Sequence, residues 1–137
     1  MTNRIARPRI MVCEDEALVA MGMVALIEEC EREAIGPFAH SRDALLFLKR
    51  HQVDGAILDV ELLDGASTPL ARVLREAETP VIVVSGFQAK SPPPEFAGVD
   101  WLNKPVDETQ LRAFLMAITA VEKRTAGRAN SRELIRV

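Results

Sequence analysis

Asp59 closes the apolar run Gly55-Ala56-Ile57-Leu58, and three other polar landmarks stand in matching places: Glu14-Asp15 after Arg9 to Cys13, Ser85 after Val81 to Val84, and Lys104-Pro105 after Asp100 to Asn103. Each stands where an apolar segment stops. In an open parallel sheet such segment ends lie along one edge, so residues far apart in the chain converge there into an acidic pocket with an ammonium and a hydroxyl. That composition suits phosphoryl transfer. The carboxylate of Asp59 can attack phosphorus and form an acyl phosphate, splitting one hard transfer into two easier steps. Glu14, Asp15 and Asp59 would repel one another without a counterion, and Mg2+ fits because it binds through one or two carboxylates plus waters and phosphate oxygens. Lys104 can present a point charge to one phosphoryl oxygen and Ser85 a hydroxyl to another, with Gly86 leaving backbone space for the donor group. Such transfers ask for positioning and charge neutralisation more than for covalent help. Singly, each of these residues is an ordinary loop or terminator residue; jointly, they fall at the right ends of four strands.

The elements that must position them follow from hydrophobic pattern. Apolar runs at Ile10 to Cys13, Ala34 to Phe38, Gly55 to Leu58, Val81 to Ser85 and Asp100 to Asn103 predict buried strands. Helical spacing predicts helices over Ala17 to Cys30, Ser41 to Arg50, Thr68 to Ala77, and Asp107 to about Lys123, with Ser41 and Asp107 as caps. Strand and helix alternate, which calls for a parallel sheet covered on both faces by right-handed crossovers. The segment Phe87 to Gly98 contains Ser91-Pro92-Pro93-Pro94, so the fourth helix should be short or absent.

A chain of 137 residues is one domain with a single proper core. Apolar residues at 48% and charged residues at 27% are ordinary for a soluble globular protein, and a net charge of -3 argues against a general nucleic-acid binder. Cys13 and Cys30 are too few for a disulfide framework, so both read as buried, inert thiols of a reducing, cytoplasmic compartment. No stretch reaches membrane-spanning length, and no export signal follows Met1 to Arg9.

Val12-Cys13-Glu14-Asp15-Glu16, Ile57-Leu58-Asp59-Val60, Val83-Val84-Ser85-Gly86 and Leu102-Asn103-Lys104-Pro105 resemble the receiver domain of two-component response regulators. The resemblance covers residues 9–122, leaving 1–8 as an N-terminal extension and 123–137 as a C-terminal tail. It implies an α/β, flavodoxin-like (CheY-like), doubly wound five-stranded parallel sheet of order 2-1-3-4-5. By the same resemblance Asp59 is the phosphoacceptor, Glu14 and Asp15 are the acidic pair, and Ser85 and Lys104 match the family's hydroxyl and lysine. Asp15 and Asp59 would bind Mg2+ directly, Glu14 through water, and the backbone carbonyl of Glu61 would complete the protein ligands. Trp101 takes the place of the switch aromatic, three residues before the lysine, where its bulk also suits a fixed packing residue. The short fourth crossover resembles stand-alone receivers in which that helix is degenerate.

The phosphoryl group would then come from the phosphohistidine of a sensor histidine kinase or a phosphotransfer protein. Ala17 to Ile27 carries no charged residue, more apolar surface than one sheet-facing stripe needs. Leu18, Val19, Gly22 and Met23 are the candidate kinase contacts there; a broadly buried helix and a homodimer face are the other readings. Only a short tail follows the last helix, so the expected protein is a single-domain regulator acting through a downstream protein partner or a phosphorelay. Two other classes stay in view. A phosphorylation-independent binding module would keep the fold without the chemistry, and Asp59-Val60-Glu61 loosely resembles the nucleophile motif of haloacid-dehalogenase-type phosphatases, though there the nucleophile follows the first strand.

Overall fold

In the computed structural model, residues 6–86 and 94–120 are described. The elements run β1 (Arg9–Cys13), α1 (Ala17–Glu29), β2 (Glu33–Phe38), α2 (Ser41–Leu48), β3 (Gly55–Asp59), β4 (Glu61–Leu62), β5 (Gly65–Ala66), α3 (Thr68–Glu76), β6 (Val81–Ser85), β7 (Asp100–Asn103) and α4 (Glu108–Met116). Every residue of β3 and β6 is buried, as continuous apolar runs require when helices cover both faces of a sheet. The five long strands pair in parallel in the order β2-β1-β3-β6-β7. That is the expected order; the numbering differs only because β4 and β5 form a separate antiparallel hairpin. The order reverses between β1 and β3, the switch point at which open α/β sheets bind ligands.

Side chains alternate across the sheet and build two cores. Met11, Cys13, Ala56, Leu58 and Val83 face α2 and α3, packing with Ala44, Leu70 and Leu74. Ile10, Val12, Ile57, Ile82 and Val84 face α1 and α4, packing with Met23, Leu26, Ile27, Leu111 and Leu115. Cys13 and Cys30 are both buried free thiols, and burial pushes the Cys13 thiol well above its ordinary range.

Two local expectations change, and a third, the short fourth crossover, holds among the described residues. The β4–β5 hairpin has no run of apolar residues to announce it; it turns at Leu63-Asp64 and re-enters the pairing at Gly65, whose φ is 116°. The last helix stops at Met116, short of the expected Lys123. Its closing carbonyls turn to Arg32, whose guanidinium donates to Leu115 O at 3.0 Å and Ile118 O at 2.8 Å. In the fourth crossover the described residues hold one 3-10 turn, Pro94–Phe96, and the expected tail 123–137 lies outside the described residues.

α1 and α3 close with residues in the left-handed region: Glu31 has φ 63° and Glu78 φ 59°. Each follows its helix with the paired closing bonds of a Schellman motif, Thr79 N to Leu74 O and Glu78 N to Arg75 O in the case of α3. A side chain at that φ costs about 1 kcal/mol that glycine does not. Glu78→Gly should therefore raise the thermal midpoint by roughly 3 °C. A lowered midpoint in thermal unfolding would show that Glu78 contributes an interaction larger than its backbone cost.

Candidate functional site

Strand register brings the polar landmarks level. Cys13 pairs with Leu58, Asp59 with Val84 and Ser85 with Asn103, so Glu14, Asp59, Ser85 and Lys104 emerge along one edge of the sheet. Lys104 is the hub. Its ammonium lies 2.9 Å from Asp59 Oδ2, 3.0 Å from Glu14 Oε2 and 3.5 Å from Glu16 Oε1, and its backbone amide donates to Ser85 O at 2.9 Å. Burial disfavours the Lys104 charge, but hydrogen bonds to Asp59 and Glu14 and their negative charges outweigh it, so the ammonium is held well above its ordinary range.

Glu14 has a fully buried side chain. Burial pushes its carboxyl up, the Glu16 amide and Lys104 pull it down, and the charge of Asp59 adds to the upward push. One oxygen, Oε2, accepts from Lys104 and from the Glu16 amide at 3.1 Å. The other, Oε1, is buried with no hydrogen-bond partner. An orphaned carboxylate oxygen is costly in a dry site, and its residue belongs to the cluster in which Glu14, Asp15 and Asp59 each offer an oxygen within 4.8 Å of the others. The residues fit a hard divalent cation, because such an ion would satisfy this oxygen and offset the mutual repulsion of the carboxylates.

Ser85 is buried, at 1% exposure, at the end of β6. Glu61 begins β4, and its amide donates to Asp59 Oδ1 at 3.3 Å, so the two oxygens of Asp59 are held from opposite sides by Glu61 and Lys104. Trp101 is half-buried beside the α2–α3 core, its ring edge-on to Phe96 with centroids 6.0 Å apart and planes at 85°. That contact is a packing role of the kind its bulk suits.

The candidate contacts on α1 divide. Leu18 is 83% exposed, and Gly22 is exposed, while Val19 is half-buried. Met23 corrects the expectation of an open contact: at 3% exposure it packs into the α1–α4 core, because its place on the helix faces the sheet. It reaches only the wall of a groove of about 580 Å³ shared with Leu18, Val19, Gly22, Val106 and Leu111. Met21, 65% exposed, takes the outward place instead.

Two site residues escaped sequence reasoning. Glu16 touches both Lys104 and Glu14, and its acidity next to Glu14-Asp15 was the available signal. Ser67 donates through Oγ to the backbone carbonyl of Asp59 at 2.6 Å; eight residues away, it carried no signal beyond that of a helix cap.

A family model described as the response regulator receiver domain matches residues 10–116. Among curated proteins, a protein-glutamate methylesterase/protein-glutamine glutaminase of Syntrophomonas wolfei is 26% identical over 136 residues, covering 93% of this chain and 38% of that protein. The phyllosphere-induced regulator PhyR of Methylorubrum extorquens is 32% identical over 81 residues, covering 57% of this chain and 30% of that protein. The chain thus spans well under half the length of these relatives. A solved receiver domain (CheY-like) from Methylobacillus flagellatus superimposes with a TM-score of 0.70 at 24% identity, covering 82% of this chain and 98% of that one, a likeness of fold.

Proposed function

This chain belongs to the response regulator receiver domains, and from that premise we propose that it accepts a phosphoryl group on Asp59 and passes the signal on through protein contacts or a phosphorelay. The donor is the phosphohistidine of a sensor histidine kinase or of a phosphotransfer protein. Residues 9–122 would form the receiver, working in the cytoplasm; among the described residues no helix is long and apolar enough to cross a membrane. The observation that carries the reading is the Lys104 ammonium bridging Asp59 and Glu14 beside a buried carboxylate oxygen that lacks a partner.

In the proposed reaction an Asp59 carboxylate oxygen forms the new O–P bond while the donor's N–P bond breaks and the imidazole keeps the electron pair. Asp59 Oδ1 is steadied by the Glu61 amide. Lys104 transfers its contact from Asp59 Oδ2 to a phosphoryl oxygen, and Ser85 donates to another. Mg2+, held by Asp15, Asp59, the backbone carbonyl of Glu61 and, through water, Glu14, would neutralise charge on carboxylate and phosphoryl oxygens together. The chain catalyses only the gain and loss of its own phosphoryl group. Added charge at Asp59 then draws Ser85 and Lys104 inward and shifts the population of the strand ends that carry them.

The test is intact mass after incubation with acetyl phosphate, with and without Mg2+, for the wild type and Asp59→Ala. One added phosphoryl in the wild type, dependent on metal and absent from the variant, is expected. No adduct under any condition, with hydrolysis shown to be slower than detection, would transfer the reading to a phosphorylation-independent binding module.

A further inference from the structure

Ser67 stands at the N-cap of α3, where a serine side chain ordinarily accepts a hydrogen bond from an amide of the first helical turn. It makes no such bond. Its hydroxyl, fully buried, instead donates to the Asp59 carbonyl at 2.6 Å, and its amide donates to Val60 O at 2.8 Å. The two peptide groups that follow Asp59 are therefore pinned by one residue. The second of them is the peptide whose N–H, that of Glu61, meets Asp59 Oδ1 at 3.3 Å. A helix cap is forgone, and the hydroxyl is committed to the backbone that aims the acidic site.

We propose that Ser67 is a positioning residue, setting the direction of the Asp59 carboxylate and through it the geometry of the Mg2+ site. The inference rests on the function proposed above. Without the hydroxyl the carbonyl of a buried aspartate loses its donor, and the peptide turns to find another. Tolerances in such sites are near 0.5 Å and 10–20°, so a modest turn misplaces the carboxylate. The β4–β5 hairpin is tied down independently on its other side, by Leu63 N to Ala39 O at 2.9 Å and by Asp64, whose carboxylate accepts from the Ser41 and Arg42 amides at 2.7 and 3.1 Å.

Isothermal titration with Mg2+, alongside thermal unfolding of each variant, tests the assignment. Ser67→Ala should bind Mg2+ roughly tenfold more weakly than the wild type, as loss of a group supporting a metal ligand generally causes. Ser67→Cys, which fills the space with a poor donor, should weaken binding in the same direction and serves if the alanine variant does not fold. Ser67→Thr, which restores the hydroxyl, should return affinity to near the wild-type value. Asp64→Ala, which loosens the same hairpin without touching Asp59, should lower the thermal midpoint and leave Mg2+ affinity unchanged. Unchanged affinity in both Ser67→Ala and Ser67→Cys overturns the proposal. So does an equal loss in Asp64→Ala, or a folded Ser67→Thr that binds no better than Ser67→Ala. A wild type that binds no Mg2+ and gains no phosphoryl group removes the receiver chemistry itself, a result distinct from wild-type binding that Ser67 does not influence.

Discussion

Lys104→Ala takes up a phosphoryl group from acetyl phosphate about 100-fold more slowly than the wild type, the scale of loss when one preorganised charge partner of a transition state is removed. The same change destabilises the chain in the absence of metal. Lys104 is the cation that Asp59 and Glu14 share, and breaking a buried pair from one side strands the opposite charge at a cost of about 3 kcal/mol. The loss has a pH signature. Burial already raises the Glu14 carboxyl above its ordinary range, and removing the ammonium that opposes this raises it further. An acid whose folded pKa lies above its unfolded value stabilises the fold fully below the unfolded value and loses that contribution as pH rises through the folded one. The deficit of Lys104→Ala should therefore be largest at neutral pH and narrow on acidification toward the ordinary carboxylate range near ~4. Mg2+ should recover part of it at neutral pH by supplying a second counter-charge. Urea denaturation of both chains at the two pH values reads the effect, and a deficit that does not change with pH would show that the carboxylates are not what the ammonium stabilises.

Arg32→Ala has the second large effect, on stability and not on chemistry. The guanidinium gathers the ends of two helices: Nη1 donates to Cys30 O at 2.7 Å, closing α1, while Nε and Nη2 reach Leu115 O and Ile118 O at the end of α4. These carbonyls lie at the negative ends of two helix dipoles, where acceptors outnumber helical donors, and a planar cation with a fork of donors suits them. Removing it should cost about 3 kcal/mol and lower the thermal midpoint by roughly 10 °C. Arg32→Lys should restore only a fraction, because an ammonium cannot reach both helix ends with the same geometry. Arg32 precedes β2, at the sheet edge opposite Asp59, so below the midpoint Arg32→Ala should still gain its phosphoryl group in the intact-mass assay. A midpoint within 2 °C of wild type, roughly the effect of losing less than 1 kcal/mol, would mean that water replaces these bonds at no net cost.

Much of the site was legible because its signals are local. Asp59 and Ser85 each close a run of apolar residues, and a strand that is buried on both faces must stop where its first polar side chain needs the sheet edge; Lys104 follows the less buried edge strand Asp100–Asn103, and its Lys-Pro pair marked the strand end. The order of the five long strands followed from the alternation of strand and helix together with the resemblance at four strand ends. Met23 and Leu18 were less legible. Both lie on a helix with no charged residue between Ala17 and Ile27, so no polar stripe marked which side faces the sheet. Arg32 looked like one basic residue among Glu28, Glu29, Glu31 and Glu33, and its partners lie 83 and 86 positions away.

The sequence by itself determined the class of the fold, the sheet edge that carries the chemistry and the acidic, hydroxyl and ammonium groups that stand there. Periodicity and strand termination are written in consecutive residues and need no knowledge of what packs on what. Tertiary structure alone decided that Met23 turns inward while Leu18 and Met21 face out, that α4 ends at Met116 under the hold of Arg32, and that Ser67 spends its hydroxyl on Asp59 and not on its own helix. The first depends on which side of α1 meets the sheet, and the other two on which donor meets which acceptor across separate elements. Hydrogen bonding there is settled by distance in space, for which spacing along the chain carries no local mark.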